Sequence, residues 1–256
     1  IVAISGYNVT IIASALLSVT SYFGRRKLGL VLSVLGIIGF AVMVGLGSTV
    51  IRASVMAIIA LLAKYLGRQS EALRALGVAV VLMLIWNPLL LLRDPSFQLS
   101  TLATLGLILY SPIVSNYLKF VTEKFGFREI VSSTFAVQIF LLPMLIKMSG
   151  IFSLISFVVN LIVLPMVPTA MLLGFLTGVS GILGVYVSWP FGTISYLVTQ
   201  LIIKIVDISS TIPFAYMQLG LIPNWLIFIW YGVYAVAFWK LSSITDQLRL
   251  EKKSST

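Results

Sequence analysis

Long apolar runs separated by short charged or turn-forming clusters alternate along the whole chain. About 20 helical residues cross the roughly 30 Å of bilayer hydrocarbon, so each run is read as a membrane-spanning helix. Residues 7–23 form the first and end at Gly24-Arg25-Arg26-Lys27, a cluster that cannot lie in hydrocarbon. Residues 28–46 form the second, closing at Gly45-Leu46-Gly47-Ser48. The third, 50–66, carries Arg52 in its first turn, with Lys64, Arg68 and Arg74 around its exit; the fourth, 75–92, is broken late by Asn87-Pro88. Residues 99–118, 130–148 and 153–176 follow, Pro143 predicting a kink in the sixth run and Pro165 and Pro168 lying in the seventh. Residues 178–208 are read as the eighth, either one long helix or two pieces broken at Trp189-Pro190-Phe191-Gly192, and 225–239 as the ninth, with Trp225, Trp230, Tyr231 and Trp239 as interfacial anchors.

Between the fifth and sixth runs, Tyr117, Leu118, Val121 and Phe125 recur at helical spacing opposite Lys119, Glu123 and Lys124, the pattern of an amphipathic helix lying in the interface over 115–129. A polar, charged tail follows the ninth run. The fold class predicted is therefore all-α: a polytopic transmembrane helix bundle of about nine segments plus one interfacial helix. No repeat of fixed period and no linker divides it, so residues 1–256 are expected to form one domain. The chain opens on Ile1 at the edge of a helix, and it is expected to be a piece of a longer protein.

The octet Arg93-Asp94-Pro95-Ser96-Phe97-Gln98-Leu99-Ser100 interrupts this apolar text with two charges, a proline and an amide. Pro95 suits the first turn of the next helix, where its missing N–H has no intrahelical partner, and Asp94 before it can cap the free amides. Gln98 then enters the membrane with its helix and needs another helix or water as partner.

Composition narrows the chemistry. Hydrophobic residues make up 60% of the 256 and charged residues 9%, with a mean hydropathy of +1.12, far outside the soluble range. There is no Cys and no His, and only seven acidic residues are scattered along the chain. Thiolate and histidine chemistry, disulfides and the usual zinc, copper or haem sites are thereby excluded, and no metal or cofactor is expected. No nucleotide-binding loop of two glycines flanking four residues and followed by Lys and Ser or Thr is present, and no Ser has a base partner, so neither a motor nor an enzyme is expected.

The net charge of +10 has a direction. Counted across nine spans, one side takes Arg25, Arg26, Lys27, Lys64, Arg68, Arg74, Lys119, Lys124, Arg128, Lys240, Arg249, Lys252 and Lys253; the other takes Arg52, Arg93, Lys147 and Lys204. The positive-inside rule makes the rich side cytoplasmic, placing residue 1 and the octet outside and the tail in the cytoplasm.

Polar residues inside the runs align. Gln98, Thr101 and Thr104 repeat every three residues, Thr134 and Gln138 stand four apart, and Ser153, Ser156 and Asn160 stand at i, i+3 and i+7. A lone polar group in a membrane helix is ordinarily interhelical glue worth about 0.6 kcal/mol. Stripes on several helices fit a hydrated path better, so Gln98, Thr101, Thr134, Gln138, Ser153, Ser156 and Asn160 are the candidate lining. Arg52 and Arg93 are candidate anion contacts at the outer mouth; the bland alternative for Arg52 is an interfacial side chain reaching headgroups.

Several of these segments together resemble the Competence domain of the ComEC family. Ala3-Ile4-Ser5-Gly6-Tyr7-Asn8-Val9 resembles its AISGLHV segment, with Asn8 in place of the usual His. Gly47-Ser48-Thr49-Val50-Ile51-Arg52-Ala53 with Met56, then Asp94-Pro95-Ser96-Phe97-Gln98-Leu99-Ser100 with Ser96 in place of Gly, match two further segments. Ala136-Val137-Gln138 with Pro143, Phe152 to Ser156, and Asn160-Leu161 with Pro165 complete the order over residues 3–165. The resemblance makes Ser5, Gly6, Asn8, Asp94, Phe97 and Ser100 family-motif positions. It implies an inner-membrane channel for single-stranded DNA during natural transformation, embedded in membrane lipid. It further implies a cytoplasmic helicase-like motor or strand-binding protein, a surface DNA receptor, and oligonucleotide-binding and nuclease domains outside this segment. The residues by themselves also admit a transporter for a polar or anionic small solute, and, less well, a membrane enzyme acting on lipid-linked substrates.

Overall fold

The computed structural model describes residues 26–67, 71–118, 127–153, 155–212, 217–218, 220 and 223–254. Helix α1 (Arg26–Val44) ends where Gly45 turns to a φ of 103°, a conformation that costs glycine nothing. The Leu46 N–H then reaches back to the Ala41 carbonyl (3.0 Å) and the Gly45 N–H to that of Val42 (3.2 Å), a Schellman cap that satisfies the last carbonyls. Helix α2 (Ser48–Tyr65) follows at once, and α3 (Ala72–Trp86) stops at Asn87-Pro88, where the Asn87 side chain accepts the Leu89 N–H at 3.0 Å. A single helical turn, α4 (Leu90–Arg93), leads into α5 (Pro95–Tyr117). Then come α6 (Phe127–Ser149), strand β1 (Ile151–Phe152), α7 (Ile155–Val163), α8 (Met166–Leu183), α9 (Val185–Ser210), strand β2 (Met217–Gln218) and α10 (Asn224–Ser254).

The chain packs as two units, Ile1–Ile108 and Leu109–Thr256, the division falling inside α5. In the first, α2 packs against α1 and α3, and Ile37, Ala41, Val50, Ala53 and Leu61 form the core between α1 and α2. The buried positions of α3 are Ala75, Leu76, Ala79 and Met83; its small residues let a neighbouring backbone come close, the usual means of association between membrane helices. In the second unit α8 and α9 fold back on each other about Gly184 (φ 128°), α9 also meets α7, and α6 packs on α7 and α10. Strands β1 and β2 pair antiparallel, Ile151 opposite Gln218 and Phe152 opposite Met217. Beside them a Cβ on Gly150 would lie 3.6 Å from the Gly220 carbonyl carbon, and both glycines have positive φ.

This is an all-α membrane protein. Among the described residues six helices are long and apolar enough to cross a bilayer: Lys27–Val44, Ser48–Tyr65, Pro95–Tyr117, Arg128–Ser149, Met166–Leu183 and Val185–Ser210. Ala72–Trp86 and Trp225–Lys240 are shorter apolar helices. Their outward faces carry large apolar side chains such as Met43, Ile85, Trp86 and Ile182, as contact with lipid requires.

Three boundaries differ from the sequence reading. The seventh run is two helices, because Pro165 and Pro168 lack the N–H groups that the Leu161 and Leu164 carbonyls would accept in a continuous helix, and the chain turns at Leu164-Pro165 between α7 and α8. The eighth begins at Val185: residues 178–183 belong to α8, the hairpin turns at Gly184, and Pro190 sits near the start of α9, where it removes one hydrogen bond without breaking the helix. The ninth continues without interruption to Ser254, since nothing from Lys240 onward is Gly or Pro. The first run, 7–23, and residues 119–126 of the expected interfacial helix lie outside the described residues.

Candidate functional site: polar seams at membrane depth

Two polar seams stand out, one in each unit. In the first, Asp94 caps α5: its Oδ1 accepts the N–H groups of Ser96 (2.8 Å) and Phe97 (3.2 Å), while Pro95 occupies the first helical position. The Ser48 hydroxyl donates to the other carboxylate oxygen, joining the starts of α2 and α5. One turn along α2, Arg52 is only 6% exposed. Its Nε donates to Ser100 Oγ at 3.1 Å, and one terminal nitrogen donates to Thr104 Oγ1 and approaches Met56 Sδ at 3.8 Å. Both hydroxyls donate onward to carbonyls of their own helix, Ser100 to Phe97 and Thr104 to Ser100, so each serves the guanidinium as an acceptor. No carboxylate among the described residues pairs with Arg52; Arg74 and Glu71 form an exposed ion pair at 3.0 Å at the start of α3.

Around this seam Phe97 is 1% exposed and anchors the start of α5. Gln98 turns back and donates to the Leu91 carbonyl of α4 at 2.7 Å, so the octet is held from both ends. The Thr101 hydroxyl is buried and has no hydrogen-bond partner among the described residues. Arg93 is exposed at the end of α4.

The second seam joins α6 to the β1–α7 segment. Asn160 Nδ2 donates to Gln138 Oε1 at 3.3 Å, Gln138 Nε2 donates to Ser156 Oγ at 2.9 Å, and Ser156 Oγ donates to the Ser153 carbonyl at 2.8 Å. The Ser156 N–H in turn reaches Ser153 Oγ at 3.1 Å, capping α7. Asn160 is 9% exposed and its Oδ1 has no hydrogen-bond partner among the described residues. Thr134 stands apart from this chain of bonds: its hydroxyl donates to the Ile130 carbonyl at 2.7 Å.

Gln138, Ser153, Ser156 and Asn160, which sequence spacing singled out as polar stripes on two separate runs, are brought together here by hydrogen bonds. Spacing anticipated neither Ser48 as the partner of Asp94 nor the burial of Arg52, although Ser48 and Arg52 stand four apart on one helix face. It also missed a third arrangement, in which the Tyr234 hydroxyl donates to the Ile139 carbonyl (2.8 Å), Tyr231 to that of Phe140 (3.2 Å) and Tyr110 to that of Tyr234 (2.5 Å). Tyr231, expected as an interfacial anchor, is thus spent on α6; Pro143, four residues after Ile139, was the available signal. Ser5, Gly6 and Asn8 lie outside the described residues. Among the described residues no cluster of metal-ligating side chains occurs.

The family model described as Competence protein matches residues 1–243. No curated protein and no solved structure matches the chain.

Proposed function

Because the chain belongs to the Competence protein family of the ComEC type, and is therefore a membrane protein of competence and DNA uptake, we propose that it is the inner-membrane channel admitting a single DNA strand. The observation that carries the reading is the second seam. Four polar side chains are committed to one junction of membrane helices, and a buried acceptor, Asn160 Oδ1, is left over for water. An unpartnered amide oxygen in hydrocarbon is costly; beside a wetted path it is not.

In this reading Gln138, Ser153, Ser156 and Asn160 keep the path of the second unit hydrated, with Thr134 above them on α6. Gln98 and Thr101 do the same in the first unit. Phosphate capture falls to exposed Arg93, while Arg52 holds α2 to the start of α5. The octet and residue 1 face outward and the tail faces the cytoplasm. The domain performs no bond chemistry itself. It works with a surface DNA receptor, and a cytoplasmic helicase-like motor or strand-binding protein draws the strand inward.

The test replaces Gln138 or Asn160 by Leu, since an apolar side chain in a narrow wet passage closes it by dewetting. At matched membrane abundance, surface-bound DNA should be unchanged and cytoplasmic arrival of the strand reduced. Arrival that simply follows protein abundance would return both residues to helix packing.

A further inference from the structure

Pro143 lies fully buried in the middle of α6 and has no N–H, so the Ile139 carbonyl four residues earlier loses its intrahelical donor. In a helix that crosses hydrocarbon no water is at hand to replace it. Tyr234 of α10 supplies that donor: its hydroxyl lies 2.8 Å from the Ile139 oxygen. One turn earlier on α10, the Tyr231 hydroxyl reaches the next carbonyl, Phe140, at 3.2 Å. Ring contacts set both phenols, with Phe140 5.4 Å from Tyr231 and 5.8 Å from Tyr234 between centroids. Tyr110 closes the group by donating to the Tyr234 carbonyl while its ring lies 5.4 Å from Phe140.

The carbonyls so held belong to the two residues that follow Gln138, the residue that donates to Ser156 and accepts from Asn160. A proline removes one backbone bond and kinks its helix at the turn before it, so the rotation of that turn depends on what else its carbonyls bond. Fixing the peptide planes of Ile139 and Phe140 fixes the rotation of the turn that carries Gln138. We infer that Tyr231 and Tyr234 are positioning residues: the Tyr234 hydroxyl stands in for the backbone donor that Pro143 removes, the Tyr231 hydroxyl braces the next carbonyl, and together they hold Gln138 against α7 in the working arrangement. The transport consequence rests on the channel reading above; the latch itself does not.

The experiment is a double-mutant cycle on the full-length protein. Tyr234→Phe and Tyr231→Phe, which keep the rings, are each made in the parent and in Pro143→Ala, which restores the missing N–H. On the parent background Tyr234→Phe should lower the unfolding midpoint in detergent by about 2 °C or more. On the Pro143→Ala background it should lower it by nothing measurable, because Ile139 again has an intrahelical donor. Tyr231→Phe, whose acceptor is not the one freed by the proline, should cost the same on both backgrounds. Strand arrival per molecule should fall about threefold in Tyr234→Phe, the factor that one average membrane hydrogen bond supports, and recover in the Pro143→Ala pair. Equal midpoint losses on both backgrounds, or none on either, would overturn the latch. A non-additive cycle with undiminished arrival would overturn the positioning role if Gln138→Leu still blocks arrival; if Gln138→Leu is also silent, the channel reading is what has failed.

Discussion

At the scale of single residues, the roles around Arg52 are unequal in a way that mutation can expose. Ser100 and Thr104 each remain satisfied through their own backbone bonds when the arginine is gone, whereas the guanidinium without them is a buried, unpaired charge. Hydrogen bonds to charged groups are worth about 1.5–3 kcal/mol, so Thr104→Val should destabilise the protein by about that amount. Arg52→Met should cost less. Thermal unfolding of the two variants in detergent checks the order, and a larger loss for Arg52→Met would show the arginine to be doing something other than joining helices. Arg93 should behave in the opposite manner: Arg93→Gln should leave stability alone, weaken DNA binding at low salt, and reduce the dependence of binding on salt concentration by the share of one phosphate contact. Coincident salt curves for variant and parent would remove Arg93 from strand capture. Part of this was legible beforehand. Spacing aligned Ser156 with Asn160 on one helix and Thr134 with Gln138 on another, because residues three, four and seven apart share a helix face, but it did not say that Gln138 would meet Ser156 and Asn160. The direction in which a long side chain such as Arg52 turns was not legible either, since burial and headgroup contact are equally open to an arginine one turn into a helix.

Among the elements, the apolar runs gave the second, third, fifth and sixth helices to within a few residues, because their ends carry Gly45, Gly67, Pro95 and charged residues that stop or start a helix for local reasons. The failures lie where proline has two meanings. Pro165 divides a run and Pro190 does not, and only position within the helix separates them: Pro190 falls close to a helix start, where few carbonyls depend on it. The turn between α8 and α9 depends instead on Gly184, whose φ of 128° is strained for any residue with a side chain. Gly184→Ala should therefore lower stability by about 1 kcal/mol or more through that turn alone, while Gly178→Ala, in open space, should be close to neutral. Matched unfolding curves for the two variants would show that the hairpin does not need this backbone conformation. Asp94 offers a parallel case, since Asp94→Ala removes the cap of α5 and should cost about 1 kcal/mol.

For the whole molecule, the energetics of strand movement set the terms. Each phosphate charge moving into a cell that is negative inside works against about 2.3 kcal/mol per 100 mV, and the sequence contains no nucleotide-hydrolysing loop. If the chain is the channel proposed above, vesicles containing only this protein, held inside-negative, should accumulate no strand until a cytoplasmic motor or strand-binding protein is supplied. The claim on which every other rests is that the strand crosses the membrane through this protein. The most direct measurement follows labelled DNA in cells from which the gene has been deleted, counting label bound at the surface and single strand recovered from the cytoplasm. Surface label should persist, cytoplasmic strand should be absent, and the parental gene should restore it where Gln138→Leu, at equal membrane abundance, does not. Undiminished cytoplasmic strand in the deletion strain would contradict the account.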